Sequence, residues 1–149
     1  MAISNGEGDR QWARVILERE MDFHSSGSQG VWSTLARLHG FRALIGEHGF
    51  TVQDSARIPG WSISFEHMRY RREGDVDRAI RVPLERRGPS HLYGVREGVA
   101  VEYLHSAQGL RQNFFIERPP GGSGPLICEQ RLTTDLQVAL ASSRDLEFK

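Results

Sequence analysis

The chain has 149 residues, the length of one domain with a single core. Its 19 basic and 19 acidic residues cancel, which argues against nonspecific nucleic-acid binding, because such binding needs excess positive charge. A hydrophobic share of 38% excludes a fully disordered chain, and the lone Cys128 excludes an internal disulfide. No apolar run reaches the roughly 18 residues of a membrane-spanning helix, so membrane insertion is not expected.

The amino end, residues 1–10, is small and polar, and we expect a flexible segment there. It lacks the basic start and apolar stretch of an export signal, which leaves a cytoplasmic protein and an exported protein as alternatives. The next segment, Gln11–Phe23, mixes helical spacing with strand alternation. A short helix running into a strand fits this mixture.

From there, turn signals recur about every ten residues. Leu38–Ile45 and Phe50–Val52 flank a glycine-bearing turn and predict a hairpin. Trp61–Phe65 alternates apolar and polar residues, as does Ile80–Leu84, where Pro83 favours an edge strand or a strand end. His91–Val95 and Val99–His105 flank Arg96, Glu97 and Gly98 and predict a second hairpin.

The last third is predicted as a strand, a connector and a strand. Leu110–Ile116 and Leu126–Leu132 are expected to pair and to share one buried face, with Arg118–Pro125 reversing the chain. This spacing predicts a mainly β fold, an antiparallel β-sandwich or open barrel of about 8–10 short strands. The domain should span residues 11–140, followed by a tail over 141–149. In-phase alternation predicts a core that includes Trp61, Ile63, Phe65, Val101, Tyr103, Phe114, Ile116, Leu126 and Leu132.

One segment also carries a family resemblance. Gln108–Leu126 reads QGLRQNFFIERPPGGSGPL and resembles a recurrent strand and Arg-Pro-rich turn of bacterial exported proteins. Trp32–Ile45 and Val99–Tyr103 resemble neighbouring strands of the same domain, a β-rich unit that precedes FG-GAP (integrin-alpha-like) or similar extracellular repeats. The resemblance covers about Arg14 to Leu136. It implies an extracellular or cell-surface location and no established catalytic residues.

The sequence offers no cofactor or metal motif. None of the six histidines forms a His-x-His or His-Glu-x-x-His spacing, so each is expected to be a structural or surface residue. Gly121–Gly124 lacks the lysine and helix of a phosphate loop and indicates a turn. Cys128 alternates with Glu129 on the face of Leu126, which predicts a small buried hydrophobe rather than a nucleophile.

Four residues are candidates for contact with a ligand or partner. Trp32 follows a polar loop and could stack on a sugar, although a packing role is commoner for tryptophan. Arg69, Tyr70 and Arg71 form a basic-aromatic cluster suited to an acidic polysaccharide. Flanking acidic residues favour a solvated, mixed-charge strand end instead.

These features favour a noncatalytic structural, adhesion or assembly module of an exported surface protein. A carbohydrate-binding β-sandwich is the alternative, and a small β-barrel enzyme with dispersed histidines and carboxylates is less favoured. Exposed strand edges could recruit other protein domains or copies of the same chain, with Leu136–Leu140 as one candidate edge strand. Glycans are a second class of partner; nucleic acid is not expected.

Overall fold

The computed structural model describes residues 10–11, 13–15, 21–27, 29–73 and 78–149. Residues 10–11 and 13–15 are helical, and a 3₁₀ turn spans Arg37–His39. The rest is β structure and loops, with strands β1 His24–Ser25, β2 Trp32–Ala36, β3 Phe41–Gly46, β4 Gly49–Asp54, β5 Ser62–Arg72, β6 Arg78–Ala79, β7 Glu85–Gly88, β8 His91–Arg96, β9 Val99–Ser106, β10 Gly109–Ile116, β11 Leu126–Thr134, β12 Val138–Leu140 and β13 Leu146–Phe148. The flexible segment predicted over residues 1–10 lies almost wholly outside the described residues.

The strands form two main antiparallel sheets that face each other as an open sandwich. The larger sheet has the order β1-β2-β3-β4-β5-β11, with β6 also paired to β5. The smaller has the order β10-β9-β8-β7, and β12 with β13 forms a separate hairpin. The predicted mainly β sandwich is therefore confirmed. The count exceeds the predicted strands because β1, β6, β12 and β13 are only two or three residues long, too short to show an alternation.

The two predicted hairpins are present. β3 and β4 join through a two-residue turn, with Gly46 paired to Gly49. β8 and β9 join through Glu97 and Gly98, whose φ angles are +53° and +81°. Positive φ at both central residues is the geometry that matches the twist of paired strands.

The core lies where the two sheets overlap. Its buried residues come from both sheets and from the loops beside them: Phe23, Ala43, Ile45, Tyr70, Ile80, Val82, Leu84, Leu92, Val99, Val101 and Tyr103. Of the predicted core, Ile63, Val101 and Tyr103 are buried, whereas Trp61, Phe65, Phe114, Ile116 and Leu132 are half-buried. Leu126 is 40% exposed, so its assignment to the core is wrong.

The segment 80–84 has the buried face that its alternation predicts but no ladder pairing. Ile80, Val82 and Leu84 are at most 6% exposed, yet the segment is irregular in structure. Pro83 lacks an amide donor, which disfavours a ladder here. Its backbone instead passes close over β8, where a Cβ on Gly94 would lie 2.1 Å from the Pro83 carbonyl oxygen.

The predicted pairing of Leu110–Ile116 with Leu126–Leu132 is wrong. β10 pairs with β9 in the smaller sheet, whereas β11 pairs with β5 in the larger sheet. The connector Arg118–Pro125 therefore crosses between the sheets. It is held there by Arg72, which donates from Nε to the Pro120 carbonyl at 2.6 Å and from Nη1 to the Gly124 carbonyl.

The carboxyl end is more ordered than the predicted tail. β13 lies within residues 141–149 and pairs with β12, with Val138 opposite Phe148. The Phe148 ring lies 6.4 Å from the Phe65 ring, in an edge-to-face arrangement that links the hairpin to the larger sheet. Residues 138–140, part of the predicted edge segment Leu136–Leu140, thus already have one strand partner within the chain.

Candidate assembly interface at the β11 edge

β11 is a long strand that pairs on one side only within the described part of the chain. It pairs with β5 over nine residues, and none of the other described strands pairs with its opposite side. Among the edge strands in the described ranges it is the longest, one residue longer than β10. Five of its nine residues are exposed, and it contains neither lysine nor proline. Such an edge presents a row of backbone donors and acceptors that another strand can pair with.

A β-bulge in β5 sets which side chains lie beside this edge. Glu129 is opposite Arg69 and the next residue, Gln130, is opposite His67, so Met68 has no counterpart on β11. The extra residue inverts the alternation of β5. As a result, His67 and Tyr70 both point inward although they are three residues apart.

The bulge explains where the predicted contact cluster lies. Tyr70 is 3% exposed and belongs to the core, so it offers no surface to a ligand. Arg69 and Arg71 lie on the outer face and bind Glu129, with Nε–Oε2 and Nη2–Oε1 distances of 2.6 and 3.4 Å. The hydrogen bond from Arg69 is the main cause of a lowered Glu129 pKa. Both arginines are therefore engaged in the sheet itself.

Trp32 lies away from the β11 edge. It is half-buried, packs against the core, and its Nε1 lies 3.4 Å from the Leu84 carbonyl oxygen. Trp32 therefore packs in the fold, which is a commoner role for a tryptophan than stacking on a sugar.

The inner side of the edge carries a polar network that bridges the two sheets. Gln130 of β11 donates to the Oε1 of Gln112 on β10 at 2.9 Å. The Gln112 amide lies 2.6 Å from both the Tyr103 hydroxyl and the His67 Nε2, and those two groups are 3.1 Å apart. Four side chains thus tie β11 to the smaller sheet.

Burial sets the ionisation of this network. Desolvation, with a smaller contribution from His48, lowers the pKa of His67 to about 4. Desolvation also raises the pKa of Tyr103 above its usual value. Both groups are neutral near pH 7, so the network holds β11 by neutral hydrogen bonds.

Cys128 is exposed, contrary to the predicted buried position. Its side chain lies on the inner face of the sheet, as predicted, because Cys128 is opposite the inward-facing Tyr70. The inner face of β11 is open at this end, where Leu126 is 40% exposed and Cys128 is also exposed. Partial burial of the thiol raises its pKa, which makes it a weak nucleophile near neutral pH.

A second polar array lies on the outer face of the smaller sheet. Glu102 on β9 contacts His91 Nε2 and Asn113 Nδ2, each at 2.9 Å. Arg111 Nε donates to the Asn113 Oδ1 at 3.1 Å, which extends the chain of contacts across β8, β9 and β10. Phe115 on this face is 47% exposed. Sequence inspection missed the array because its members come from three separate strands.

Two further observations concern the described residues alone. They contain no group of three or more histidine, cysteine, aspartate or glutamate side chains placed to hold a metal ion. They also contain no helix long and apolar enough to cross a bilayer. In comparisons with known proteins, no family model, no curated protein and no solved structure matches the chain.

Proposed function

We propose that the protein is a noncatalytic assembly module that uses β11 to pair with a strand of another chain. The observation that carries the proposal is the nine-residue edge of β11: five of its residues are exposed, none is lysine or proline, and no described strand pairs with its outer side. Natural sheets commonly protect their edges by those residues, by shortness or by a covering element. On β11 only Glu129 and Arg131 are charged, and their signs are opposite, so an edge of this length suits addition of a strand with complementary charges, with backbone hydrogen bonds supplying affinity.

The polar side chains near the edge support a structural role. The hydrogen bonds of one polar network join the two sheets; its members are His67, Tyr103, Gln112 and Gln130. The resemblance of Gln108–Leu126 to exported bacterial proteins supports placing this module outside the cell or on its surface.

The test is the molar mass of the full chain in solution, measured by light scattering in the presence of a reductant. We expect a concentration-dependent oligomer that is lost in Cys128→Lys, because a lysine on the edge opposes strand addition. Ala139→Lys is the matched control, since Ala139 is exposed on β12 and tests the other candidate edge. A chain that stays monomeric, or an assembly that Cys128→Lys leaves intact, would contradict the proposal.

The array on the smaller sheet supports carbohydrate binding as a second candidate. Glu102, Asn113 and His91 provide donors and acceptors at a sheet face that also exposes Phe115. Sugar hydroxyls and C–H faces match such a mixture. Titration with neutral oligosaccharides should shift the amide NMR signals of β8–β10 in the parent chain and not in Phe115→Ala.

A further inference from the structure

The residue order of β11 fits antiparallel pairing with a second copy of itself. If Gln130 is opposite Gln130 of the second copy, Glu129 is opposite Arg131 of that copy, and Arg131 is opposite its Glu129. Directly opposite side chains lie on the same face of a sheet, so this register forms two pairs of opposite charge. The two central glutamine amides also face each other, and each can both donate and accept.

The neighbouring registers are disfavoured by the same charges. A shift of two residues in one direction places Glu129 opposite Glu129 of the second copy. A shift of two in the other direction places Arg131 opposite Arg131 of that copy. Like charges directly opposite each other are destabilising, and a shift of one residue would reverse the faces of one sheet relative to the other. The strand therefore specifies one register for pairing with itself.

Ion pairs within the chain extend this complementarity. On the outer face, Glu66 lies beside Arg131 with an oxygen–nitrogen distance of 3.4 Å, and Glu129 is paired with Arg69. In the two-fold register, Glu66, Arg131, then Glu129 and Arg69 of the second copy would form a row of alternating charge across four strands. In this row each of the two central charges lies between two opposite charges, which strengthens the preference for a single register.

The inner face is complementary as well. Cys128 would be opposite Leu132 of the second copy, and Leu126 would be opposite its Thr134. Leu126 and Cys128 are exposed in the single chain. The same register therefore places another strand beside the apolar groups that the fold leaves open.

We infer that β11 pairs with β11 of a second copy about a two-fold axis at Gln130, joining the two larger sheets into one continuous sheet. This inference rests on the proposed function and specifies its partner and register. It has a consequence that no other register shares: Gln130 is the residue of β11 that meets itself across the interface.

The register is tested by disulfide cross-linking in a Cys128→Ser background. Gln130→Cys places two thiols opposite each other, within the roughly 4.4–6.8 Å Cα separation that a disulfide accepts. Thr133→Cys is the matched control, because Thr133 is exposed and would be opposite Ile127 of the second copy. We expect mild oxidation to give a covalent dimer with Gln130→Cys and at least tenfold less with Thr133→Cys.

The charge pairs are tested by sedimentation of otherwise unchanged chains. Arg131→Glu places carboxylates opposite each other twice and should weaken the dimer at least tenfold. Arg96→Glu makes the same charge change at an exposed position on β8 and should leave the dimer unchanged. A cooperative urea transition in each variant would show that both are folded, while loss of the dimer alone would lower the midpoint of Arg131→Glu.

The outcomes separate this inference from the proposed function. If Cys128→Lys abolishes assembly but Gln130→Cys does not cross-link, β11 is an assembly edge with another partner strand or register, and the inference is overturned. If Arg131→Glu and Arg96→Glu dimerise alike, the charge pairs do not set the register, which also overturns it. If the parent chain is monomeric throughout, both proposals fail.

Discussion

Replacing Gly94 by alanine tests how the irregular segment 80–84 is held. The new Cβ would lie 2.1 Å from the Pro83 carbonyl oxygen and 2.8 Å from the Val82 Cγ1. Such contacts are essentially never below 3.0 Å, so the Pro83 backbone must retreat by about 0.9 Å. Overpacking of this kind costs about 1–3 kcal/mol, and partial exposure of Val82 and Leu84 adds to it. We expect a loss of about 2–4 kcal/mol in the free energy of unfolding.

The assay is urea unfolding followed by tryptophan fluorescence, since Trp32 and Trp61 are half-buried in the fold. Gly121→Ala is the control, because a Cβ there meets nothing within 4 Å. It should leave the free energy of unfolding unchanged or raise it by up to about 1 kcal/mol, since alanine restricts the unfolded chain. A Gly94→Ala protein within about 0.5 kcal/mol of the parent would refute close packing of Pro83 on β8.

Three further predictions concern individual residues. Burial lowers the pKa of His67 to about 4, so below pH 6.5 the unfolded chain takes up a proton that the folded chain does not. The free energy of unfolding should therefore fall by roughly 3 kcal/mol between about pH 6.5 and pH 4, and urea titrations at several pH values should show a smaller fall in His67→Gln. Cys128 should react slowly with iodoacetamide near pH 8 and faster in urea, because partial burial raises its pKa; equal rates would contradict this. Inserting two residues between Gly121 and Gly122 should lower the free energy of unfolding by less than about 1 kcal/mol. Inserting one residue after Asn113 should lower it by about 3 kcal/mol or more, because the side chains of the rest of β10 would change faces. Equal urea midpoints for the two variants would refute the assignment of the loop and the strand.

Local signals were sufficient to predict the hairpins and the fold class. The turns after β3 and β8 contain residues suited to tight reversals, and their partners are adjacent in sequence. The pairing of β11 with β5 joins residues more than fifty positions apart, and nothing in either strand alone specifies it. The sequence therefore suggested the wrong partner, β10, which is merely the preceding strand.

The errors at individual residues have two physical causes. Extending the alternation of Ile63 and Phe65 along β5 places Arg69 and Arg71 inside and Tyr70 outside, but the bulge at Met68 reverses this. A bulge adds one residue and leaves no clear mark in composition. At Leu126 and Cys128 the phase was right and the burial wrong, because burial depends on how far the opposite sheet extends. The candidate interface could not be predicted either, because β11 is an edge strand only if it pairs with β5 and not with β10.

The difference in width between the sheets connects fold and proposed assembly. The larger sheet reaches β11, and the smaller sheet ends at β10. On this side the Gln112–Gln130 hydrogen bond and the contact between the His67 and Phe114 rings, whose centroids lie 5.0 Å apart, join the two sheets. A free edge beside exposed apolar groups invites uncontrolled strand addition unless something limits the partners. Glu129 and Arg131 supply that limit. In one antiparallel register each is opposite the other residue of the second copy, whereas a shift of two residues in either direction places like charges opposite each other. The edge is thus open to a matching strand while opposing mismatched ones, which is the property an assembly module requires.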